Sequence, residues 1–150
     1  MVMPKLGDVI AIPVTDKIFA TAKIIWISSE YKDVFGFVLL HRLFDSPVFS
    51  EIEEEPYQSV PIYSGPVFVL YGDIKNVENG DWRIIGNLPI KSKDKDLLYH
   101  NIAGKLCRGD EYIKELPDDE LLSYPKFLNA GNQAVISMIK AAFSLSSESE

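Results

Sequence analysis

The chain has 150 residues, a length that folds as one domain and buries about 70% of its unfolded surface without staples. Its 15 basic residues are outnumbered by 22 acidic ones, giving a net charge of −7, which argues against nucleic acid as a partner because phosphate is held by Lys and Arg. A single cysteine, Cys107, excludes an internal disulfide and any zinc site built from several thiolates. The opening MVMPKLGD lacks the basic lead and apolar core of a secretory signal, and no run approaches about 20 apolar residues. A cytoplasmic protein without a membrane segment is therefore expected.

In chain order, residues 7–27 hold two apolar runs joined by the polar Thr15-Asp16-Lys17, which reads as a hairpin. Val9, Ile10, Ala11 and Ile12 are consecutive apolar residues, as in a strand covered on both faces. Pro13 lacks a ladder donor and is expected where pairing ends. In the second strand, residues 18–28, strict alternation puts Ala20, Ala22, Ile24 and Trp26 on one face. Phe19, Thr21, Lys23, Ile25 and Ile27 then share the other. Residues 34–43 form a third strand, with Gly36 at a bulge or a close approach.

Residues 45–65 differ in kind. Pro47, Pro56 and Pro61 alternate with Glu51, Glu53, Glu54 and Glu55, which reads as a long exposed loop with at most one helical turn. Such loops often carry recognition. A strand is expected over 66–74, a turn at Asn79-Gly80 and a returning strand over 81–86. Lys91 to Asp96 reads as solvated loop. Short strands are expected over 102–108 and 111–116. Asp118, Asp119 and Glu120 would start a helical turn, their charge matched to its N-terminal dipole. Residues 131–143 have the apolar spacing of a helix, with Asn132 as N-cap. The organisation is thus a single domain over 1–144 and a frayed acidic tail over 145–150.

No catalytic constellation stands out. Cys107 could pair with His41 or His100, but a free cysteine in a strand behaves as a small buried apolar residue. The 59-residue gap between the histidines carries no metal-ligand spacing, and there is no HExxH, GxSxG or glycine-rich phosphate loop. Asp8 and Asp73 each follow a glycine, where the carboxylate bonds local backbone. Trp26, Tyr31, Tyr63, Tyr71 and Trp82 could line a cation-binding cage, although aromatics in a small β-domain more often fill the core. The residues therefore call for no enzyme, metal or cofactor.

Lys5-Leu6-Gly7-Asp8-Val9-Ile10-Ala11-Ile12-Pro13, the polar turn, and Phe19-Ala20-Thr21-Ala22-Lys23-Ile24-Ile25 resemble the opening of the immunity protein 26 family. Asp81-Trp82-Arg83-Ile84-Ile85-Gly86 resembles that family's Trp-containing strand, so the likeness spans residues 5–90. It implies a mostly β immunity protein, made beside a polymorphic toxin of bacteria and neutralising it by binding. Gly7, Asp8, Pro13, Trp82 and Gly86 would then determine the fold. The expected architecture is an SH3-like, partly open barrel or curved antiparallel sheet with a C-terminal helix. The expected contact surface is Glu51, Glu53, Glu54 and Glu55, with Asp118, Asp119 and Glu120 as a second acidic edge. An acidic inhibitor suits a basic toxin such as a nuclease. Two rival readings are a module binding a small molecule or peptide in an aromatic groove, and a small enzyme using His41, His100 or Cys107.

Overall fold

The structure is a computed structural model and describes residues 2–62, 65–127 and 131–145. It is mostly β, with antiparallel sheets and a C-terminal helix, and the main sheet stays open. The strands are β1 (Asp8–Pro13), β2 (Phe19–Ile27), β3 (Val34–Phe44), β4 (Tyr57–Gln58), β5 (Val60–Ile62), β6 (Gly65–Val67), β7 (Val69–Asp73), β8 (Arg83–Asn87), β9 (Tyr99–Ile102), β10 (Lys105–Arg108) and β11 (Glu111–Glu115). The helices are α1 (Lys75–Glu78), α2 (Ser92–Asp96) and α3 (Asn132–Ala142), with 3₁₀ turns at Phe49–Glu51 and Asp118–Glu120. The tail expected over 145–150 lies outside the described residues from 146 onward.

The main sheet runs β4-β3-β2-β1-β8. The long strand β3 pairs with β2 along one edge. Its other edge is shared, with β7 on the first half and β4 on the second. Both faces of the sheet are covered, which is why the strands read as apolar runs. On one face Ile10, Ile12, Ala20, Ala22, Ile24, Phe35, Phe37 and Leu39 pack with Trp82 and with Val135 and Ile139 of α3. On the other, Ile25, Trp26, Val34, Val38, Val69 and Tyr71 form a second cluster with Leu97, Leu98 and Phe127.

Several sequence expectations change. Trp26 does not share a face with Ala22 and Ile24. The pairing of β2 with β3 shifts between Ile24 and Trp26, and the extra residue, Ile25, reverses the alternation. Trp26 thus joins Ile25 in the second cluster, and Ile27 packs against the first. Gly36 lies opposite Trp26, where a Cβ would crowd its indole. The strand expected over 66–74 is split into β6 and β7 at Phe68. The strand after Asn79-Gly80 does not return onto β7. Helix α1 intervenes and β8 pairs with β1 instead, carrying Trp82 beneath Phe35 and Phe37.

Residues 92–96 form α2 where solvated loop was expected. The reason is the buried Asp94, whose carboxylate accepts a hydrogen bond from the Lys91 backbone N–H at 2.9 Å. Gly131, not Asn132, occupies the N-cap of α3. The Asn132 amide instead exchanges two hydrogen bonds with Asn76, at 2.8 and 2.9 Å, tying α3 to α1.

The motif residues hold the fold in ways their chemistry explains. Gly7 has φ +87°, and a Cβ there would strike the Leu88 carbonyl. The buried Asp8 carboxylate accepts from the Lys5 backbone N–H at 2.9 Å and from the Asn87 side chain at 3.1 Å, joining the entry turn to β8. Pro13 is the last residue of β1. Gly86 leaves the space that the Phe49 ring occupies.

Candidate partner-binding site

The acidic loop is built on Lys23. This residue sits mid-strand in β2 with its side chain fully buried, and its ammonium has a partner for each of its hydrogens. It donates to Asp94 Oδ2 at 2.6 Å, to Glu54 Oε2 at 2.7 Å and to the Pro89 carbonyl at 2.7 Å. The Tyr57 hydroxyl lies within hydrogen-bond distance of Asp94 Oδ1 and of Glu54 Oε2, and its one proton is donated to one of them at a time. Two segments far apart in sequence, 54–57 and 89–94, are thereby fastened to the face of the main sheet. Breaking a buried charge cluster by removing one partner typically costs about 3–5 kcal/mol, so the loop is held firmly.

The cluster sets the charge states. Burial would raise the Glu54 carboxyl, but hydrogen bonds from Lys23, Lys91 and Tyr57 outweigh it and hold Glu54 below its ordinary value. Burial and the neighbouring Asp94 and Glu54 carboxylates push the Tyr57 hydroxyl far above its ordinary value. It therefore stays a proton donor.

The four glutamates of the expected contact loop have different fates. Glu54 turns inward, its side chain only 11% exposed, and is committed to Lys23 and Lys91. Glu53 and Glu55 point outward, with side chains 67% and 58% exposed. Glu53 lies 3.7 Å from His41, and Glu55 pairs with Lys91 and Lys93. Glu51 is exposed at the end of its 3₁₀ turn. Beside Glu55 runs a groove of about 290 Å³ lined by Pro56, Tyr57, Phe68, Lys93 and Leu97, and Phe68 is 42% exposed.

The second acidic edge lies elsewhere in the chain's path. Asp118 and Asp119 are exposed, and Glu120 lies 3.7 Å from Lys114. Asp118 borders an open cleft of about 550 Å³ whose walls include Asn101, Leu121, Leu122 and Phe127. Each acidic patch thus adjoins a concave surface whose walls mix apolar side chains with a lysine, Lys93 in the groove and Lys126 in the cleft.

The other candidate residues are absorbed into packing. Trp26 meets Tyr71, His100 and Phe127 edge to face. Trp82 is buried on the opposite face of the sheet, and Tyr31 leans on Phe127. These rings therefore form no open cage. Tyr63 lies outside the described residues. His100 and Cys107 are directly opposed on β9 and β10, but the imidazole is occupied. Its Nε2 donates to the Gly109 carbonyl at 2.8 Å, which leaves Nδ1 to accept from the Tyr71 hydroxyl at 2.9 Å. Burial pushes the Cys107 thiol up, away from the reactive thiolate. The Asp8 and Asp73 carboxylates bond backbone N–H groups of Lys5 and Lys75 nearby. Among the described residues no three His, Cys, Asp or Glu are grouped to hold a metal ion, and no helix is long and apolar enough to cross a membrane.

Sequence reasoning missed Lys23 and Asp94. A signal was present: Lys23 stands between Ala22 and Ile24 in a strand apolar on both faces, where a charge needs a buried partner.

An open, mostly β scaffold with a charged loop clamped to one face is thus in hand. The chain belongs to the Immunity protein 26 family, whose model matches residues 5–109. It is an immunity protein in the general sense that the family's description carries. The match runs past residue 90, through β9 and β10, and ends in the turn before β11. Neither the curated proteins nor the solved structures searched gave a match.

Proposed function

We propose that this chain neutralises a cognate protein toxin by binding it, without catalysis, in the cytoplasm of the bacterium that makes both. The acidic loop forms the main contact, through Glu51, Glu53 and Glu55. Glu54 serves inside the protein by fixing that loop to Lys23. Asp118, Asp119 and Glu120 give a second contact. One observation carries the reading: the Lys23 cluster holds the loop in place before any partner arrives. A preorganised loop loses little entropy on binding, so more of the contact energy appears as affinity. The adjoining groove at Phe68 offers an apolar anchor site with charges around it, the apolar centre and polar rim of specific interfaces. The charge favours a basic toxin, a nuclease being one such protein, since complementary fields speed encounter and select the partner.

The test is co-expression with the toxin domain encoded beside this chain. The proposal expects the toxin domain alone to stop growth, the pair to grow normally, and the two to copurify as a stable complex. Growth arrest that persists with the chain abundant and folded would overturn it.

A further inference from the structure

Strand β11 is the one strand of the described chain whose every residue is exposed. It closes a three-stranded sheet, β11-β10-β9, as an edge. The opposite edge is already taken, because Asn101 of β9 exchanges backbone hydrogen bonds with Pro125 and Phe127. On the β11 side, Tyr112 and Ile113 are 54% and 43% exposed. An uncovered edge offers a row of backbone donors and acceptors to any extended segment of matching register.

Charge decides what that segment is. Across the β10–β11 ladder, Arg108 faces Glu111 and Lys105 faces Glu115, so charge alternates across the sheet at both ends of β11, while Lys114 between them lies opposite Leu106 and turns to Glu120. A next strand continues the alternation with basic residues opposite Glu111 and Glu115. A second copy of this chain fits badly. The antiparallel register that pairs all five residues of β11 sets Glu111 against Glu115 at both ends, and like charges directly opposed destabilise a pair. The bulge at Ile113, which is skipped in the pairing with β10, further limits open-ended stacking of copies. Beyond β11 the chain continues into Asp118 and Asp119, and Lys114 reaches Glu120. The strand edge and the second acidic patch are therefore continuous. Both lie beyond residue 109, outside the family match.

We infer that β11 is a docking edge that accepts an extended strand of the toxin bearing basic residues opposite Glu111 and Glu115. This inference rests on the immunity reading and names how part of that contact is made. Backbone pairing supplies general affinity, while the two glutamates choose the partner.

The experiment is amide hydrogen exchange on the purified chain, alone and with the neighbouring toxin domain, together with affinities for wild type and E111K/E115K. Protection of the outward-pointing β11 amides, those not bonded to β10, that appears only with the toxin domain, and an affinity loss of about tenfold or more in the variant, is the expected result. Should the variant fold poorly, the wild-type exchange pattern decides alone. Tight binding with the outward-pointing β11 amides still exchanging freely overturns the docking edge and leaves the immunity reading intact. Absence of any binding overturns both. Protection of β11 that rises with protein concentration and needs no toxin makes a second copy the occupant, and also overturns it.

Discussion

Lys23 Nζ lies 2.6 Å from Asp94 Oδ2, and both side chains are shut off from solvent. A buried ammonium is stable only while its countercharges remain. Replacing it with the similar-sized, uncharged methionine strands two carboxylates. K23M is therefore expected to lose about 3–5 kcal/mol of folding stability, read from urea denaturation midpoints at neutral pH. A loss well below 1 kcal/mol would mean that the cluster is open to water.

The same cluster makes stability depend on acidity. Glu54 is held below its ordinary value of 4.5, so the unfolded chain binds its proton first as pH falls. Its contribution is complete above that value and is lost as pH drops through the lower folded one. E54Q should flatten this acid limb of the denaturation profile.

His100 acts at higher pH. Burial lowers its folded value below 6.5, against the opposing pull of Gly109 and Asp110. The unfolded chain again takes the proton first, so the contribution of His100 to stability is constant above 6.5 and declines as pH falls below it. H100Q keeps a donor and an acceptor but does not titrate. Its stability should show no decline beginning near neutrality.

Gly86 and Phe49 should behave as a coupled pair. A methyl group at position 86 would occupy the space of the Phe49 ring, so G86A should destabilise by about 1–3 kcal/mol, the range for overpacking. In an F49A background the same change should cost much less. A double-mutant cycle on denaturation free energies measures the difference. Additive effects would contradict the close approach.

The sequence made much of this architecture legible. Apolar runs in β1, β2 and β3 and the period of α3 reported burial directly. Gly7, Asp8 and Trp82 revealed the family because the residue types themselves are telling: a glycine at a positive φ, a carboxylate that closes the turn at Lys5 and a tryptophan in the core, although the partners of each at Leu88, Asn87 and Phe35 lie far along the chain. Trp26 was misplaced because one bulged residue inverts every face assignment after it. Glu54 was grouped with its neighbours because four glutamates in a proline-rich stretch look alike. What separates them is a lysine 31 residues away, and long-range pairing leaves no trace in local composition. Asp94 was hidden in the same way, inside a run of alternating charge that reads as solvent-facing.

Lys23 clamps a loop whose outward carboxylates are the proposed contact for the toxin. The most direct test is the association rate of the chain with the toxin domain proposed as its partner, measured by stopped flow across a range of salt. Wild type should associate fast and slow steeply with salt, whereas E51K/E53K/E55K should associate about tenfold or more slowly with a flatter salt dependence. Equal rates and equal salt dependence in a variant of unchanged stability would show that these carboxylates do not receive the toxin.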